Sequence, residues 1–384
     1  MTTSQNLKIL LTGGGSGGHI YPLSAVALEL KKIAAEKNFT AEIHYLGATG
    51  EFYKPALLSA GVEIHSLISA KLRRYFSFAN FIDIPKFFIS FFQALIKILI
   101  LMPDVTFSKG GPGALPVVLA SWFYQIPVMI HESDAVPGMA NLLSKKIAKR
   151  IALSFDRAAH YFNSDKVAVI GNPIRADLLN KKIPSAAAKE ELGFDPNEPL
   201  ILILGGSQGA KRINDFILIN LEDLIKEAQI LHQTGPANYL EVKNLSRAVL
   251  VDIPTKTQIT RRYEAVSYFE QNIATALSAA DLIISRGGSN ILFEIAAFRK
   301  PVIIIPLSDS AGDHQRLNAY EFAKTGGGVV IEENNLFPVI FMNQIREIIE
   351  NPQKLAKMGE LSATFFKPGA AQIIADEIIH LGGF

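Results

Sequence analysis

Twice, about 190 residues apart, the chain runs an apolar segment into a glycine-rich turn and then into a helix-patterned stretch. Leu7–Leu11 ends in Thr12–Gly18, TGGGSGG, and Leu200–Leu204 ends in Gly205–Ala210, GGSQGA. A strand feeding a tight glycine turn and then a helix opens a parallel, doubly wound α/β domain. Two such openings predict two such domains, and 384 residues suit two of ordinary size.

The pattern between them agrees. Pro22–Ala35 places apolar side chains at helical spacing. Ile43–Leu46, Val105–Phe107, Val128–Ile130, Ile151–Leu153 and Val167–Ile170 read as strands. A linker-like patch follows, with Lys181, Lys182, Pro184, a run of Ala, and Asp195–Pro199. Then the grammar restarts. Leu200–Leu204 is apolar throughout, as a strand buried on both faces must be. A helical pattern begins near Lys211, and Leu282–Ile284 and Val302–Ile305 continue the strand series. The predicted architecture is α/β, two Rossmann-like doubly wound domains facing across a cleft, with a ligand at the strand C-terminal ends.

Formal net charge is only +2, which argues against a dedicated nucleic-acid binder. That total hides an asymmetry. Residues 1–175 carry 18 Lys and Arg against 11 Asp and Glu, whereas residues 176–384 carry 20 against 25. Seven of the 24 Phe lie between Phe76 and Phe92. Without cysteine, disulfides, Cys-based metal centres and cysteine nucleophiles are excluded. No secretory signal is expected, because Met1–Asn6 is polar and the first apolar run stops at glycines.

Phe76–Met102 is the one membrane suspect. Asp83, Pro85, Lys86 and Lys97 interrupt it, leaving Phe87–Ile96 as the longest charge-free stretch, and a spanning helix needs about 20 apolar residues. Its last part, Ile96–Met102, is expected to pack inside. Phe87, Phe88, Phe91, Phe92 and Leu95, with Lys71, Arg73, Arg74 and Lys86 nearby, suit a helix lying in a membrane interface.

The turns carry the chemistry. Gly13–Gly18 combines tight backbone bends with a helix N-terminus, whose N–H groups and dipole favour an anion. Gly13-x-Gly15-x-x-Gly18 formally fits a dinucleotide fingerprint, but His44–Leu46 runs into Gly47 and not into the acidic residue a nicotinamide enzyme needs. A nicotinamide oxidoreductase is therefore the alternative from another class. His19, directly after that turn, is a candidate general base, because an ordinary histidine titrates near neutrality. His131, Glu132 and Asp134 follow a strand and offer further acid–base groups, against the alternative that Ser133 or Asp134 caps a helix.

Gly205–Gly209 repeats the anion-binding geometry, with the Ser207 hydroxyl able to hold a phosphate. Ser285–Asn290 precedes a helix in which Glu294 falls within about the first turn, as a ribose-diol acceptor or as a complement to the helix dipole. Asp313–Asn318 is an unusually polar cluster, and Arg175 ends the first domain. No Asp-x-Asp follows a strand and no His/Asp/Glu set has metal-ligand spacing, so helix ends, Arg and Lys are expected to meet phosphate charge.

TGGGSGGHIYP (Thr12–Pro22), HESDAVPGMAN (His131–Asn141), GNPIR (Gly171–Arg175), GGSQGA (Gly205–Ala210), SRGGSNILFEI (Ser285–Ile295) and DHQRLNA (Asp313–Ala319) resemble, in order and along the whole chain, the MurG family of peptidoglycan synthesis. The resemblance implies a GT-B glycosyltransferase that moves N-acetylglucosamine, with inversion, from UDP-N-acetylglucosamine to a polyprenyl-pyrophosphate-linked muramyl-peptide acceptor. A related transferase using another lipid acceptor is the alternative. It implies domains of residues 1–175 plus a C-terminal helix at about 367–384, binding acceptor and membrane, and of residues 176–366, binding the UDP-sugar.

His19 and Glu132 would be catalytic, with the proton acceptor left open between them. Ser16, Gly17, Gly18, Asp134, Arg175, Ser207, Gln208, Phe269, Ser289, Asn290, Ile291, Leu292, Phe293, Glu294 and Gln315 would line the donor site. Gly110, Gly111 and Asn141 would bind the acceptor, and Phe87, Phe88, Phe91 and Phe92 would touch an anionic membrane surface. The resemblance implies peripheral attachment at the cytoplasmic face, with neither cofactor nor metal. Three departures stand out. Asp134 replaces the usual Asn, Pro112 and Ala114 stand where a Tyr and a Ser are common, and Asp252–Tyr268 is longer than typical.

Overall fold

The computed structural model describes residues 6–68, 79–162, 164–206, 209–251, 262–269 and 272–384, the side chains of 79–82, 164 and 311 excepted. They form two compact units, Met1–Arg175 with Lys367–Phe384, and Ala176–Phe366.

The first unit is built on a seven-stranded parallel sheet: β1 (Asn6–Thr12), β2 (Thr40–Gly47), β3 (Glu63–Ser66), β4 (Val105–Ser108), β5 (Val128–Glu132), β6 (Arg150–Leu153) and β7 (Val167–Val169). Their spatial order is β3-β2-β1-β4-β5-β6-β7. The order reverses between β1 and β4, so the loops leaving those two strands diverge and open the crevice where such sheets take ligands. Helix α1 (Gly17–Lys37) follows β1 and ends at Asn38, whose left-handed φ of 58° closes the last turn through its N–H to the Ala34 carbonyl. After a short helix at Lys54–Ser59, the unit has α2 (Ala79–Leu101), α3 (Ala114–Phe123) and α4 (Met139–Ser144).

The C-terminal helix α5 (Ala370–Leu381) buries Ile374, Ala375, Ile378 and Ile379 among Leu7, Ile9, Leu23 and Val26 of the first unit. Each fully buried isoleucine there contributes about 1.5–3 kcal/mol.

The structure corrects the reading of α2. Ser90, Ala94 and Ile98, one turn apart, are buried, and Ala94 and Ile98 join Leu10, Leu46, Leu67, Val117 and Ala120 in a core cluster. Within Ile96–Met102, expected to pack inside, Ile96, Leu99, Ile100 and Met102 are exposed. A helix lying on one layer can bury only one stripe, and this one carries apolar residues on its outer side as well. Among the described residues, Asp83–Leu101 is also long and apolar enough to cross a membrane by length and composition, and 17% of that window is buried.

The second unit repeats the plan with six parallel strands: β8 (Leu200–Leu204), β9 (Gln229–Gln233), β10 (Tyr263–Val266), β11 (Leu282–Ser285), β12 (Val302–Ile304) and β13 (Gly328–Val330). They are ordered β10-β9-β8-β11-β12-β13, reversing between β8 and β11. Helices α6 (Lys211–Ile219), α7 (Ser289–Ala297) and α8 (His314–Ala323) leave the loops at that edge.

Candidate active site

In the first unit, the functional side chains gather at the reversal between β1 and β4. The first hydrogen bonds of α1 run from His19 N–H and Ile20 N–H to the Ser16 carbonyl, both 3.0 Å, so the helix begins at the glycine turn itself. The Ser16 hydroxyl lies 2.9 Å from His19 Nδ1. Two glycine loops press on the same imidazole. A Cβ at Gly14 would stand 2.8 Å from His19 Nδ1, and one at Gly111 would stand 2.5 Å from Nε2. Gly110 and Gly111 hold φ of 73° and 85°, which only glycine adopts without strain. Burial and the Lys109 charge push His19 down to about 4, Asp134 partly opposing them. The ring is therefore neutral at pH 7 and keeps a lone pair for a proton.

Glu132 and His131, the further acid–base candidates, are both buried at the end of β5. Glu132 is buried, and its carboxylate is fully engaged. Oε1 accepts from Asp134 N–H at 3.0 Å, and Oε2 accepts from Gly138 N–H and Asn141 Nδ2, each at 2.9 Å. Burial, then the neighbouring Asp134, raises its pKa against those bonds. It organises the segment 133–141. No helix is capped at Ser133 or Asp134, because α4 begins at Met139 after Gly138. Asn141 Nδ2 also donates to the His131 carbonyl at 3.1 Å, and its amide lies against Gly110.

His131 is buried between Lys109 Nζ, 2.6 Å from Nδ1, and the Gly171 carbonyl, 3.0 Å from Nε2. Burial, then Lys109, holds it well below the usual range. With both nitrogens occupied it is an internal strut.

Lys109, directly after β4, is a central group of this site that no sequence motif singles out. Its buried ammonium also donates to the Ser133 hydroxyl and to Asn172 Oδ1, the latter at 3.2 Å. Burial pushes it down to about 7, with Glu132 and Asp134 opposing. A lysine closing a strand at a sheet reversal was the available signal. Arg175 sits with its guanidinium 5.2 Å from the centre of the Tyr21 ring on α1, so the GNPIR segment lies beside the same helix.

In the second unit, the loops after β8 and β11 flank the reversal. A Cβ at Gly209 would meet the Thr234 carbonyl at 2.6 Å, so the β8 loop lies directly on the β9 loop. Gln233, at the end of β9, ties the β8 loop to the segment after β10. Its Nε2 donates to the Gly206 carbonyl at 3.2 Å, and its Oε1 accepts from Phe269 N–H at 3.2 Å. No sequence signal marks Gln233, because β9, QILHQ, has polar ends and too short an apolar run to read as a strand. Ser207 and Gln208 lie outside the described residues.

Helix α7 starts with Ser289, after Gly288, and its Leu292 N–H donates to the Gly288 carbonyl. Ser289, Asn290 and Ile291 thus form the first turn, the end that attracts an anion. Leu292 and Phe293 correct the expectation of a continuous lining. Both are buried, and Phe293 packs on Phe365 with ring centres 4.6 Å apart. Helical periodicity turns them into the core while Asn290 and Glu294, four residues apart, share a face. Glu294 is therefore in the second turn, not the first.

Gly287 lies so close to α8 that a Cβ would stand 2.2 Å from the Gln315 carbonyl, and Asn318 Nδ2 donates to the Gly287 carbonyl at 3.1 Å. Gln315 Oε1 accepts from Leu307 N–H at 3.2 Å. The one cation of the β11 turn, Arg286, is buried in an ion pair with Glu333.

Each unit also matches a domain found in known proteins. The glycosyltransferase family 28 N-terminal domain matches residues 9–153, and the glycosyltransferase family 28 C-terminal domain matches residues 200–374. A relative from Clostridium tetani, a UDP-N-acetylglucosamine–N-acetylmuramyl-(pentapeptide) pyrophosphoryl-undecaprenol N-acetylglucosamine transferase, is 34% identical over 96% of each chain. The crystal structure of Acinetobacter baumannii MurG superposes with a TM-score of 0.71 at 25% identity, covering 97% of this chain and 99% of that one. A UDP-GlcNAc 2-epimerase from Neisseria meningitidis shares the fold, with a TM-score of 0.67 at 16% identity over 97% of this chain and all of that one.

Proposed function

The chain belongs to glycosyltransferase family 28, and from that premise we propose how its residues carry out transfer. It is an N-acetylglucosaminyltransferase of peptidoglycan synthesis, moving the sugar from UDP-N-acetylglucosamine to the muramyl C4 hydroxyl of the lipid-linked pentapeptide acceptor. The observation that carries the proposed mechanism is the neutral imidazole of His19, held by two glycine loops at the reversal of the first sheet.

His19 takes the proton of the acceptor hydroxyl as its oxygen attacks the anomeric carbon. The carbon–oxygen bond to the β-phosphate breaks, and UDP leaves with that electron pair, inverting the centre. Glu132 supports this step through the loop it braces. Gly110, Gly111 and Asn141 hold the acceptor sugar near His19. Ser16, Gly17, Gly18, Asp134 and Arg175 are the first unit's own groups for the UDP-sugar.

In the second unit, the α7 amino end at Ser289–Ile291 and the β8 turn with Ser207 and Gln208 receive the diphosphate. Glu294 accepts from the ribose hydroxyls, Phe269 and Gln315 border the nucleotide, and Leu292 and Phe293 support α7 from the core. The exposed row Ile84, Phe88, Phe92, Ile96 and Ile100 on α2, with Trp122 and Phe123 at the end of α3, fits a peripheral seat on an anionic membrane surface at the cytoplasmic face.

The test is transfer of labelled sugar to the lipid-linked muramyl peptide by wild type and His19→Ala, with UDP binding measured in parallel. Turnover should fall about 10²–10⁴-fold with UDP affinity kept. Unchanged turnover removes His19 from the chemistry, and preferred transfer to diacylglycerol moves the chain to another acceptor class.

A further inference from the structure

We propose that the edge of the first unit's sheet binds a divalent transition-metal ion of the zinc class, through His44 Nδ1, His65 Nε2 and the Glu63 carboxylate. No local spacing announced this group; the pairing of β2 with β3 assembles it. In that parallel register His44 lies beside Glu63 and Leu46 beside His65. Alternation along each strand puts Glu42 and His44, and Glu63 and His65, on one common face.

The donor atoms are already spaced as ligands. His65 Nε2 lies 3.2 Å from His44 Nδ1, His44 Nδ1 lies 3.3 Å from Glu63 Oε2, and His65 Nε2 lies 3.5 Å from Glu63 Oε1. A tetrahedral zinc ion with bonds of about 2.0–2.1 Å sets neighbouring ligands about 3.3–3.4 Å apart, close to the spacing of the two ring nitrogens and of each nitrogen from the Glu63 oxygen that faces it; with one atom taken from each residue, all three lie within 4.8 Å of one another. Among the described residues, this is the group of His, Asp and Glu able to close round an ion.

Glu42 supplies the independent observation. Its Oε1 lies 2.9 Å from His44 Nε2, the ring nitrogen that points away from the proposed ion. A proton on Nε2, donated to that carboxylate, leaves the lone pair on Nδ1, facing His65 and Glu63. Metal-bound histidines are oriented in this way by an outer carboxylate. His44 is buried while Glu63 is largely exposed, so the ion has an entry path and solvent supplies its fourth ligand. Two carboxylates balance the ion's charge, although Lys97 of α2 adds a positive field at His65.

The chemistry is that of a clip. β3 is an edge strand of four residues, and the ion would pin it to β2 on the face where Leu46 meets Ala94 and Ile98 of α2. None of the three ligands belongs to the transfer machinery described above.

The test uses the full chain, freed of metal by a chelator and titrated with zinc alone. Wild type should bind one equivalent and gain thermal stability at saturating zinc. Glu63→Gln, at an exposed position, and His65→Gln should each lose that equivalent and the gain. Glu42→Gln should weaken binding about 10–100-fold at unchanged stoichiometry. His160→Gln, an exposed histidine elsewhere, should change nothing. Cobalt in place of zinc should give the intense visible spectrum of a four-coordinate ion. No stoichiometric binding by wild type, or binding undiminished in Glu63→Gln, overturns the proposal.

Discussion

Gly111 lies against the imidazole of His19, at a distance where a Cβ would stand 2.5 Å from Nε2. An alanine there must push either the ring or the β4 loop aside, and its φ of 85° adds about 1–2 kcal/mol of backbone strain. Gly111→Ala should therefore lower kcat for sugar transfer about 10²-fold or more through misplacement of the base. UDP affinity, measured calorimetrically, should stay within about twofold of wild type. A variant with wild-type kcat would show that the loop does not position His19.

Lys109 depresses the affinity of His19 for a proton. Removing that charge in Lys109→Met leaves burial as the main depressing influence, so the His19 pKa should rise from about 4 toward the ordinary histidine range. Titration of the histidine ring protons by NMR reads this directly. An unmoved His19 titration would mean that the two groups are not electrostatically linked.

Glu294 shares a face of α7 with Asn290 at the end that attracts phosphate. If its carboxylate accepts from the ribose, Glu294→Ala loses a charged hydrogen bond of about 1.5–3 kcal/mol, or about 10- to 150-fold in donor KM. The acceptor KM and the unfolding midpoint should hold. Equal rises in both KM values would assign Glu294 to the fold of α7.

On α2, Phe88 and Phe92 are exposed, at 55% and 61%, whereas Phe91 packs partly against the Leu10–Leu46–Ile98 cluster. Phe88→Ser with Phe92→Ser should lower partition onto anionic vesicles at least about tenfold, since each buried ring is worth about 1.5–3 kcal/mol. Stability should change by less than about 0.5 kcal/mol per site. Phe91→Ser should instead lower the unfolding midpoint. Vesicle binding that survives the double substitution would place the membrane contact elsewhere.

His232 is buried in the second unit, with Nδ1 2.9 Å from the Tyr263 hydroxyl and Nε2 3.0 Å from Asn214 Oδ1. Burial lowers its pKa from 6.5 to about 3. Between those values the unfolded chain binds a proton that the folded chain refuses, so stability falls as pH falls from about 6.5 toward 3. At pH 5 the loss from this residue is about 2 kcal/mol. Urea unfolding at pH 7.5 and at pH 5 should show a smaller loss for His232→Gln than for wild type. Equal losses would mean that the acid sensitivity arises from other groups.

The two glycine-turn openings and the alternating strands were legible in the sequence because their signals are local. A strand buried on both faces must be apolar, and a turn that bends sharply into a helix needs glycine. The position of His19 after such a turn was legible for the same reason. What individual side chains face was not local. Glu132 reads as an available acid until Gly138, Asn141 and the Asp134 amide are seen to occupy both oxygens. Leu292 and Phe293 sit in the midst of a polar motif, yet helical rotation sends them to the core. Ile96–Met102 has the composition of a core segment and only Ile98 fully reaches one.

The sequence by itself therefore determined the two-domain α/β plan, the glycine turns at the strand ends, and the basic, Phe-rich character of the first half. Only the tertiary structure decided that Lys109 would meet His131, and that His44, Glu63 and His65 would converge. Those pairings depend on strand order and register, and a slip of one residue would turn the converging side chains to opposite faces of the sheet.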